Sequence, residues 1–286
     1  EGLDGGYPDS FDARVYAWSR TRQHDIADTL AAALHDHSID DALADWVQGK
    51  RIVGIMGGHA LRRDSEEYRQ AAHLAHGLAR AGRVVATGGG PGAMEAGNLG
   101  ARAVALSPDQ LDTAIDELAA VPSFHGSIPE WIASARSVAA RVGDGASLGI
   151  PTWHYGHEPP NSFATSIAKY FQNSVREDIL LRVASAGIVV LPGGGGTVQE
   201  IFQDACENSY AAEGAWAPLV LLGEQFWTET LPAWPLLQAV MRNRPGEAGI
   251  ALVDTVADAV AEIAAFEPAE GGSEAGLHGP APEDRR

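Results

Sequence analysis

The chain has 286 residues, of which 45% are apolar, and its formal net charge is −18 at pH 7. This length suits one large domain or two small ones, and the negative charge argues against binding to polymeric nucleic acid. No apolar run reaches the roughly 18 residues of a membrane helix, no secretory signal pattern is visible, and the single cysteine, Cys206, excludes an internal disulfide. We therefore expect a cytoplasmic protein with no membrane contact.

The first segment, residues 1–48, is polar and favours helix over strand. Between residues 25 and 47 the apolar residues recur at helical spacing, at Ile26, Leu30, Leu34, Ile39, Leu43 and Val47. This pattern predicts a helical N-terminal extension that packs on a main domain of residues 49–266. Residues 267–286 are rich in glycine, proline and charge, which predicts a disordered tail.

Strand-like and helix-like segments alternate through the main domain. The predicted strands are 51–56, 83–86, 147–153, 188–191, 219–222 and 251–253. The predicted helices are 65–81, 92–102, 129–142, 163–184, 197–210, 226–241 and 255–265. Regular alternation of this kind predicts an α/β fold, a Rossmann-like doubly wound parallel sheet, here with the helical N-terminal extension before it.

The most informative segment is residues 187–200. An apolar run leads into four glycines, Gly193, Gly194, Gly195 and Gly196, and then into Thr197, where a helix is expected to begin. Glycines let the backbone approach a ligand closely, and a helix N-terminus supplies free N–H groups and a positive dipole end. The segment is neither a GxGxxG fingerprint nor a lysine-containing P-loop. It predicts an anion site, with phosphate as the usual occupant.

Two further glycine turns follow predicted strands and are expected at the same edge of the sheet. One follows residues 83–86 and leads into a helix at Pro91, and the other follows residues 51–56. The carboxyl edge of a parallel sheet is where open α/β folds bind ligands. The candidate ligand-contacting glycines of these two turns are Gly57, Gly58, Gly89, Gly90 and Gly92.

Residues 192–200 carry the signature Pro-Gly-Gly-x-Gly-Thr-x-x-Glu, which resembles the LOG family of nucleotide phosphoribohydrolases. The resemblance extends from about Ile52 to about Phe266. Within it, the bacterial pyrimidine/purine nucleotide 5′-monophosphate nucleosidases are the most similar branch, at residues 57–59, 90–96 and 158–161. The large flanking domains of those nucleosidases are reduced or absent in this chain, which leaves substrate choice and effector control open.

The resemblance implies hydrolysis of the N-glycosidic bond of a nucleoside 5′-monophosphate, without a cofactor, by a homodimer or larger assembly. Carried over to this chain, the catalytic pair is Arg176 and Glu200. We expect the phosphate at the N–H groups of residues 194–197, because the helix dipole and the glycine turn coincide there. Ribose and base are expected to extend toward residues 88–94, where Met94 would line the base pocket and Glu95 would contact the ribose, while Asn161 would bond a ribose hydroxyl.

Each of these residues also has an ordinary structural interpretation. Glu200 completes a Thr-x-x-Glu capping box in which it would only bond the helix N-terminus; Asp204, one turn further on, is expected to be solvated. Arg176 would pair with a neighbouring acid on a helix surface. Glu95 would cap its own helix. Met94 would fill the core and Asn161 would shape a turn.

Two other functions are weighed against hydrolysis. Related folds carry molybdenum cofactor, a phosphate-bearing pterin, so a non-catalytic carrier is the main alternative. Lysine decarboxylation needs a Schiff-base lysine, and the chain offers only Lys50 and Lys169, neither in a cofactor motif. A metal site is not expected, because His154 and His157 have no further ligands at suitable spacing.

Overall fold

Seven parallel strands form one sheet in the computed structural model, which describes residues 9–21, 25–154, 159, 161–211 and 216–266. The strand order is β4-β3-β2-β1-β5-β6-β7. The strands are β1 (Ile52–Met56), β2 (Val84–Thr87), β3 (Ser147–Gly149), β4 (Ser166–Ile167), β5 (Ile188–Val190), β6 (Leu219–Leu222) and β7 (Ile250–Val253). This sheet confirms the predicted Rossmann-like α/β fold. The predicted disordered tail, residues 267–286, lies outside the described residues.

Helices cover both faces of the sheet. The α-helices of the described ranges are α1 (Phe11–Thr21), α2 (Ile26–Val47), α3 (Glu66–Arg80), α4 (Ala93–Arg102), α5 (Pro108–Ala119), α6 (Ile128–Ala139), α7 (Asn173–Val183), α8 (Gly195–Tyr210), α9 (Ala233–Met241) and α10 (Val256–Ala265). Strand β1 shows how the layers divide. Val53 and Ile55 join the core beneath α3, α4 and α10, whereas Ile52 and Met56 join the core beneath α7, α8 and α9. Alternate side chains of a buried strand feed opposite layers.

The chain changes direction across the sheet at β1. Gly54 of β1 pairs with Ala86 of β2 on one side and with Ile188 of β5 on the other. The crossover through α3 leads outward from β1 to β2, and the chain later returns to β5 on the opposite flank. The crevice beyond the carboxyl ends of β1 and β5 is therefore the topological switch point, where open α/β sheets bind their ligands.

The predicted helix over residues 163–184 is wrong in its first half. Residues 166–167 form β4, and the backbone N–H groups of Ala168 and Tyr170 donate to Gly149 and Pro151 along the edge of the sheet. Helix α7 begins only at Asn173. The helical spacing of apolar residues extended across this short strand because a strand of two residues leaves almost no alternation to recognise.

Other elements differ from prediction in smaller ways. Helix α5 was not predicted at all, although Ser107 and Gln110 form a complete capping box at its start. The predicted helix 226–241 is a short π-helix at Phe226–Thr230 followed by α9. Pro232 separates the two segments, because proline cannot continue a regular helix in its interior. The single helix expected in the insertion at 121–146 is present as α6.

The two helices before β1 pack less closely than their pattern predicts. Leu43 in the second half of α2 is buried, but Ile26, Leu30 and Leu34 in the first half are 88%, 58% and 58% exposed. The expectation that all the spaced apolar residues of α2 contact the main domain is therefore wrong for this first half. In the described ranges, no helix has both the length and the apolar character needed to cross a membrane.

Candidate functional site

Helix α8 begins earlier than predicted, at Gly195, with Gly194 in the N-cap position and no side-chain cap. Thr197 is therefore the third helical residue, not the cap, and its buried side chain packs against Gly193. A capping box requires the Ser or Thr at the N-cap itself. The capping-box interpretation of Glu200 is therefore wrong.

The start of α8 is an open anion site. The first N–H groups of a helix have no intrahelical acceptor, and in α8 no side chain takes their place. Gly194, Gly195 and Gly196 are exposed, and a Cβ atom added at any of the three would meet no atom of the described residues within 4 Å beyond the adjoining backbone. Backbone donors and the positive end of the helix dipole thus face room for a phosphate-sized group.

Arg176 and Glu200 meet between α7 and α8. Arg176 Nη1 lies 3.8 Å from Glu200 Oε1, and Arg176 Nη2 donates to Asn173 Oδ1 over 3.1 Å. The arginine is 9% exposed, and its Nε is among the buried nitrogen atoms of the described chain that have no hydrogen-bond partner. A second acid, Glu177, lies 3.7 Å from Nη2. The guanidinium is thus held in place but retains a donor for a further group.

Burial gives Glu200 an unusual proton affinity. The pKa of the carboxyl is raised to about 7: burial raises it most, the positive charge of Arg176 opposes the rise, and the nearby Glu177 adds a smaller increase. Burial therefore outweighs the ion pair. A carboxyl group with a pKa near 7 can take up or release a proton at neutral pH, as a general acid or base must.

Gly88, just after β2, packs so closely against Met94 and Arg176 that a side chain at this position would not fit. A Cβ atom at Gly88 would lie 2.7 Å from Met94 Sδ and 3.2 Å from Arg176 Nη1. The structure therefore brings Met94, which was predicted near the base, to the same place as the predicted catalytic arginine. Gly88 was not among the predicted site residues, although it opens the predicted glycine run.

The other predicted glycines allow the three glycine turns to pack closely against one another. The Gly58 N–H donates to Pro192 O over 3.2 Å, and the Ala93 N–H donates to Gly58 O over 3.1 Å. Gly92 has a φ of +70°, and a Cβ there would lie 2.5 Å from Gly58 O. Gly57 packs in the same way against Leu191. Gly89 and Gly90 are buried where β2 ends. The three glycine turns thus meet, as the sequence predicted.

Glu95 is engaged in a role that neither sequence interpretation included. Its carboxylate accepts from Arg63 Nη2 and Nε over 2.6 and 2.9 Å, and from the Tyr68 hydroxyl over 3.0 Å. The Arg63 and Glu95 side chains are each 1% exposed, and the guanidinium also stacks on Trp131. They line a cavity of about 200 Å³ whose lining includes neither Arg176 nor Glu200. Glu95 is thus held in a buried ion pair, and its contact with a substrate stays a prediction.

Asn161 is likewise occupied by the protein. Its amide nitrogen donates to Met94 O over 3.3 Å and to Asn98 Oδ1 over 2.7 Å, and its oxygen accepts from the Phe163 N–H over 2.9 Å. The side chain ties the loop before β4 to α4, so the predicted ribose contact is corrected to this bracing role. Within the similar segment 158–161, residues 158 and 160 lie outside the described residues.

Asp204 contradicts the expectation of a solvated carboxylate. It is 7% exposed, and Asn208, one turn further along α8, donates to it over 2.9 Å. Burial raises the pKa of Asp204 to about 8, nearby Glu207 adds to the rise, and a hydrogen bond from Asn208 opposes it.

The described residues contain no group of three or more His, Cys, Asp or Glu arranged to hold a metal ion.

The fold is a doubly wound α/β sheet whose uncapped α8 N-terminus lies beside the buried Arg176 and the partly buried Glu200. A family model described as "Possible lysine decarboxylase" matches residues 133–263. The match supports the LOG family, and the matched segment contains α7 and α8, and hence Arg176 and Glu200.

Comparison with solved structures finds molybdenum cofactor proteins. Two structures of the molybdenum cofactor carrier protein from Chlamydomonas reinhardtii are 19% identical, cover 75% of this chain and 95% and 96% of theirs, and have TM-scores of 0.47 and 0.46. A molybdenum cofactor binding protein from Rippkaea orientalis is 17% identical, and its TM-score is 0.47. The match covers 76% of this chain and 96% of that protein. Comparison with curated proteins finds no match.

Proposed function

We propose that this protein hydrolyses the N-glycosidic bond of nucleoside 5′-monophosphates and releases the free base and ribose 5-phosphate. One observation carries the proposal: the buried Arg176 and the partly buried Glu200, whose pKa is about 7, lie together within two helical turns of an uncapped helix N-terminus. The uncapped helix N-terminus suits a phosphate, and the Arg176–Glu200 pair suits chemistry at a nearby sugar carbon.

The 5′-phosphate would bind the N–H groups of Gly195, Gly196 and Thr197. Hydrogen bonds to charged groups contribute about 1.5–3 kcal/mol each, and phosphate binding here uses energy from a part of the substrate remote from the reacting bond. With the phosphate at the first turn of α8, the ribose extends along the helix toward Glu200. That placement holds C1′ near the carboxylate, and positioning of this kind is a major source of rate enhancement.

Glu200 would serve the reacting carbon. As the bond from C1′ to the base breaks, its electron pair leaves with the base nitrogen, which takes a proton from solvent, and C1′ becomes oxocarbenium-like. The ionised carboxylate stabilises this positive charge and accepts a proton from the water whose oxygen adds to C1′; that proton then returns to solvent, which restores the ionised carboxylate. A pKa near 7 leaves a large fraction of Glu200 ionised at neutral pH while keeping it basic enough to take that proton.

Arg176 would orient the ionised carboxylate and bind substrate. Its Nη1 lies beside Glu200 and close to Gly88, and its buried Nε has no hydrogen-bond partner among the described residues. A guanidinium presents its donors in a fixed plane, so the free donor suits a ribose hydroxyl or a phosphate oxygen. The base would lie toward Met94, at the end of β2.

The main alternative is a non-catalytic carrier of a phosphate-bearing pterin such as molybdenum cofactor. The open start of α8 would bind the phosphate of either ligand, so the loop alone does not separate the two functions. The Arg176–Glu200 pair favours the enzyme, because a carrier has no need of a buried carboxyl that titrates near neutrality. Pyridoxal-phosphate chemistry is not favoured. Lys169 is paired with Asp12 over 2.5 Å, and it belongs to the segment before α7, not to the glycine loop.

Base release from a panel of substrates tests the proposal. Purified protein is incubated with purine and pyrimidine nucleoside monophosphates and with the matching nucleosides, and free base is measured by chromatography. We expect release from at least one monophosphate, and slower release by 10²-fold or more from its nucleoside, because the phosphate hydrogen bonds are lost. Equal rates for a nucleoside and its monophosphate would contradict the phosphate site. Binding of nucleotides with no release from any of them would favour the carrier.

A further inference from the structure

A set of carboxylates in the N-terminal extension holds the segment that leads into α7. We propose that Asp36 of α2 is a positioning residue for Arg176: it fixes the backbone from which α7 starts, and so sets the place of the guanidinium beside Glu200. The inference rests on the proposed function for its kinetic consequence, but its structural consequence is measurable without catalysis.

Asp36 provides α7 with the cap that its own sequence lacks. Gln172 is the N-cap residue of α7 and makes no side-chain cap. Asp36 Oδ1 instead accepts from the Phe171 N–H over 3.0 Å, and Oδ2 accepts from the Gln172 N–H over 3.2 Å. The carboxylate is 6% exposed. A negative group at this position satisfies backbone donors and interacts favourably with the helix dipole.

Arg176 lies on the turn that this cap anchors. The Arg176 N–H donates to Gln172 O over 3.2 Å, so the arginine closes the first hydrogen-bonded turn of α7. Any shift of the Phe171–Gln172 backbone is therefore passed directly to the backbone that carries the guanidinium. Because the Arg176–Glu200 separation of 3.8 Å is already longer than a hydrogen bond, a small displacement would change their interaction.

Further side chains of the N-terminal extension bind residues 169–172. Asp12 of α1 pairs with Lys169 Nζ over 2.5 Å, and Asp40 accepts from the Tyr170 hydroxyl over 2.9 Å. The ring of Phe171 packs in an aromatic cluster with Trp18, His35 and Trp153. The extension thus contacts four successive residues before α7, and Asp36 is the member that binds the backbone N–H groups of Phe171 and of Gln172, the N-cap residue.

The test compares Asp36→Asn with Ser107→Ala. The first change keeps size but removes the charge and one acceptor from the start of α7. The second removes the cap of α5, a helix that carries no proposed site residue. We expect Asp36→Asn to lower kcat by about 10-fold or more and to raise KM by a smaller factor, since a displaced Arg176 would both orient Glu200 less well and bind substrate less well. Ser107→Ala should leave kcat unchanged while lowering Tm.

The pH profile separates positioning from general destabilisation. Glu200 faces Arg176 and Glu177 of α7, and Asp204 lies one turn along its own helix. If the cap holds Arg176 in place, Asp36→Asn weakens the favourable effect of that positive charge, and the apparent pKa of Glu200 should rise relative to the wild type. In Ser107→Ala it should not move. An unchanged kcat and pH profile in Asp36→Asn would overturn the proposal.

A protein that releases no base would refute the proposed function but would still allow this test. The Glu200 carboxyl can be titrated by ¹³C NMR, and α7 can be followed by hydrogen exchange of the peptide covering 173–183. Faster exchange in α7 together with a raised Glu200 pKa supports the positioning role; wild-type values for both refute it. If Asp36→Asn does not fold, Asp36→Glu, which keeps the charge but displaces the oxygens, should give a smaller change in the same direction.

Discussion

Replacement of Glu200 by glutamine should stabilise the protein at alkaline pH. In the folded protein burial raises the pKa of Glu200 from 4.5 to about 7, and each pKa unit corresponds to about 1.4 kcal/mol. The ionised carboxylate thus costs about 3 kcal/mol of folding free energy once the pH exceeds 7. Below pH 4.5 the group is protonated in both states and the cost disappears. The neutral amide of Glu200→Gln mimics the protonated acid at every pH.

Urea denaturation at pH 4.5 and pH 8 measures this effect. The free energy of unfolding of Glu200→Gln should exceed that of the wild type by up to about 3 kcal/mol at pH 8, with little difference at pH 4.5. Glu262→Gln, which removes an exposed glutamate from α10, controls for the loss of one negative charge. If the wild type were the more stable protein at pH 8, the attraction of Arg176 would outweigh burial and the argument for an activated carboxyl would fail.

Three further substitutions test the surroundings of the site. Because burial raises the pKa of Asp204 to about 8, wild-type stability should fall as the pH rises from about 4 to about 8, and Asp204→Asn should raise the urea midpoint at pH 9 more than at pH 5. Arg63→Met leaves Glu95 charged and buried, which should lower the free energy of unfolding by about 3–5 kcal/mol in urea titrations. Gly88→Ala should lower kcat/KM for base release, because its methyl group displaces the sulfur and guanidinium beside it, whereas Gly126→Ala, which meets no atom within 4 Å, should not.

The sequence predicted the central strands because each is a short, mostly apolar run that is followed within two residues by glycine or proline. It did not predict β4, where only Ser166 and Ile167 pair with β3, because pairing at a sheet edge depends on the neighbouring strand and leaves no local pattern. The exposed half of α2 shows a second limit: helical spacing identifies an apolar face but does not show whether anything packs on it. The predicted homodimer or larger assembly stays a prediction, because the structure describes a single chain.

The site could be located from glycine clusters, but the state of its side chains could not. Sequence spacing placed Arg176 and Glu200 together only through family resemblance, and the structure brings them within 3.8 Å. Glu95 and Asn161 adjoin the right loops, yet each bonds partners remote in sequence, such as Arg63 at 2.6 Å from Glu95. The cap that Asp36 provides for α7 comes from a different segment, so no motif within α7 could reveal it.

Base release by Glu200→Gln tests the central claim most directly. The substrate is the nucleoside monophosphate that the wild type cleaves fastest, and binding of the same compound is measured by calorimetry. The proposal predicts that the variant binds it with similar affinity and releases base at least 10²-fold more slowly, because the carboxylate that stabilises C1′ and accepts the proton is gone. Full hydrolysis by the variant would contradict the catalytic role of Glu200.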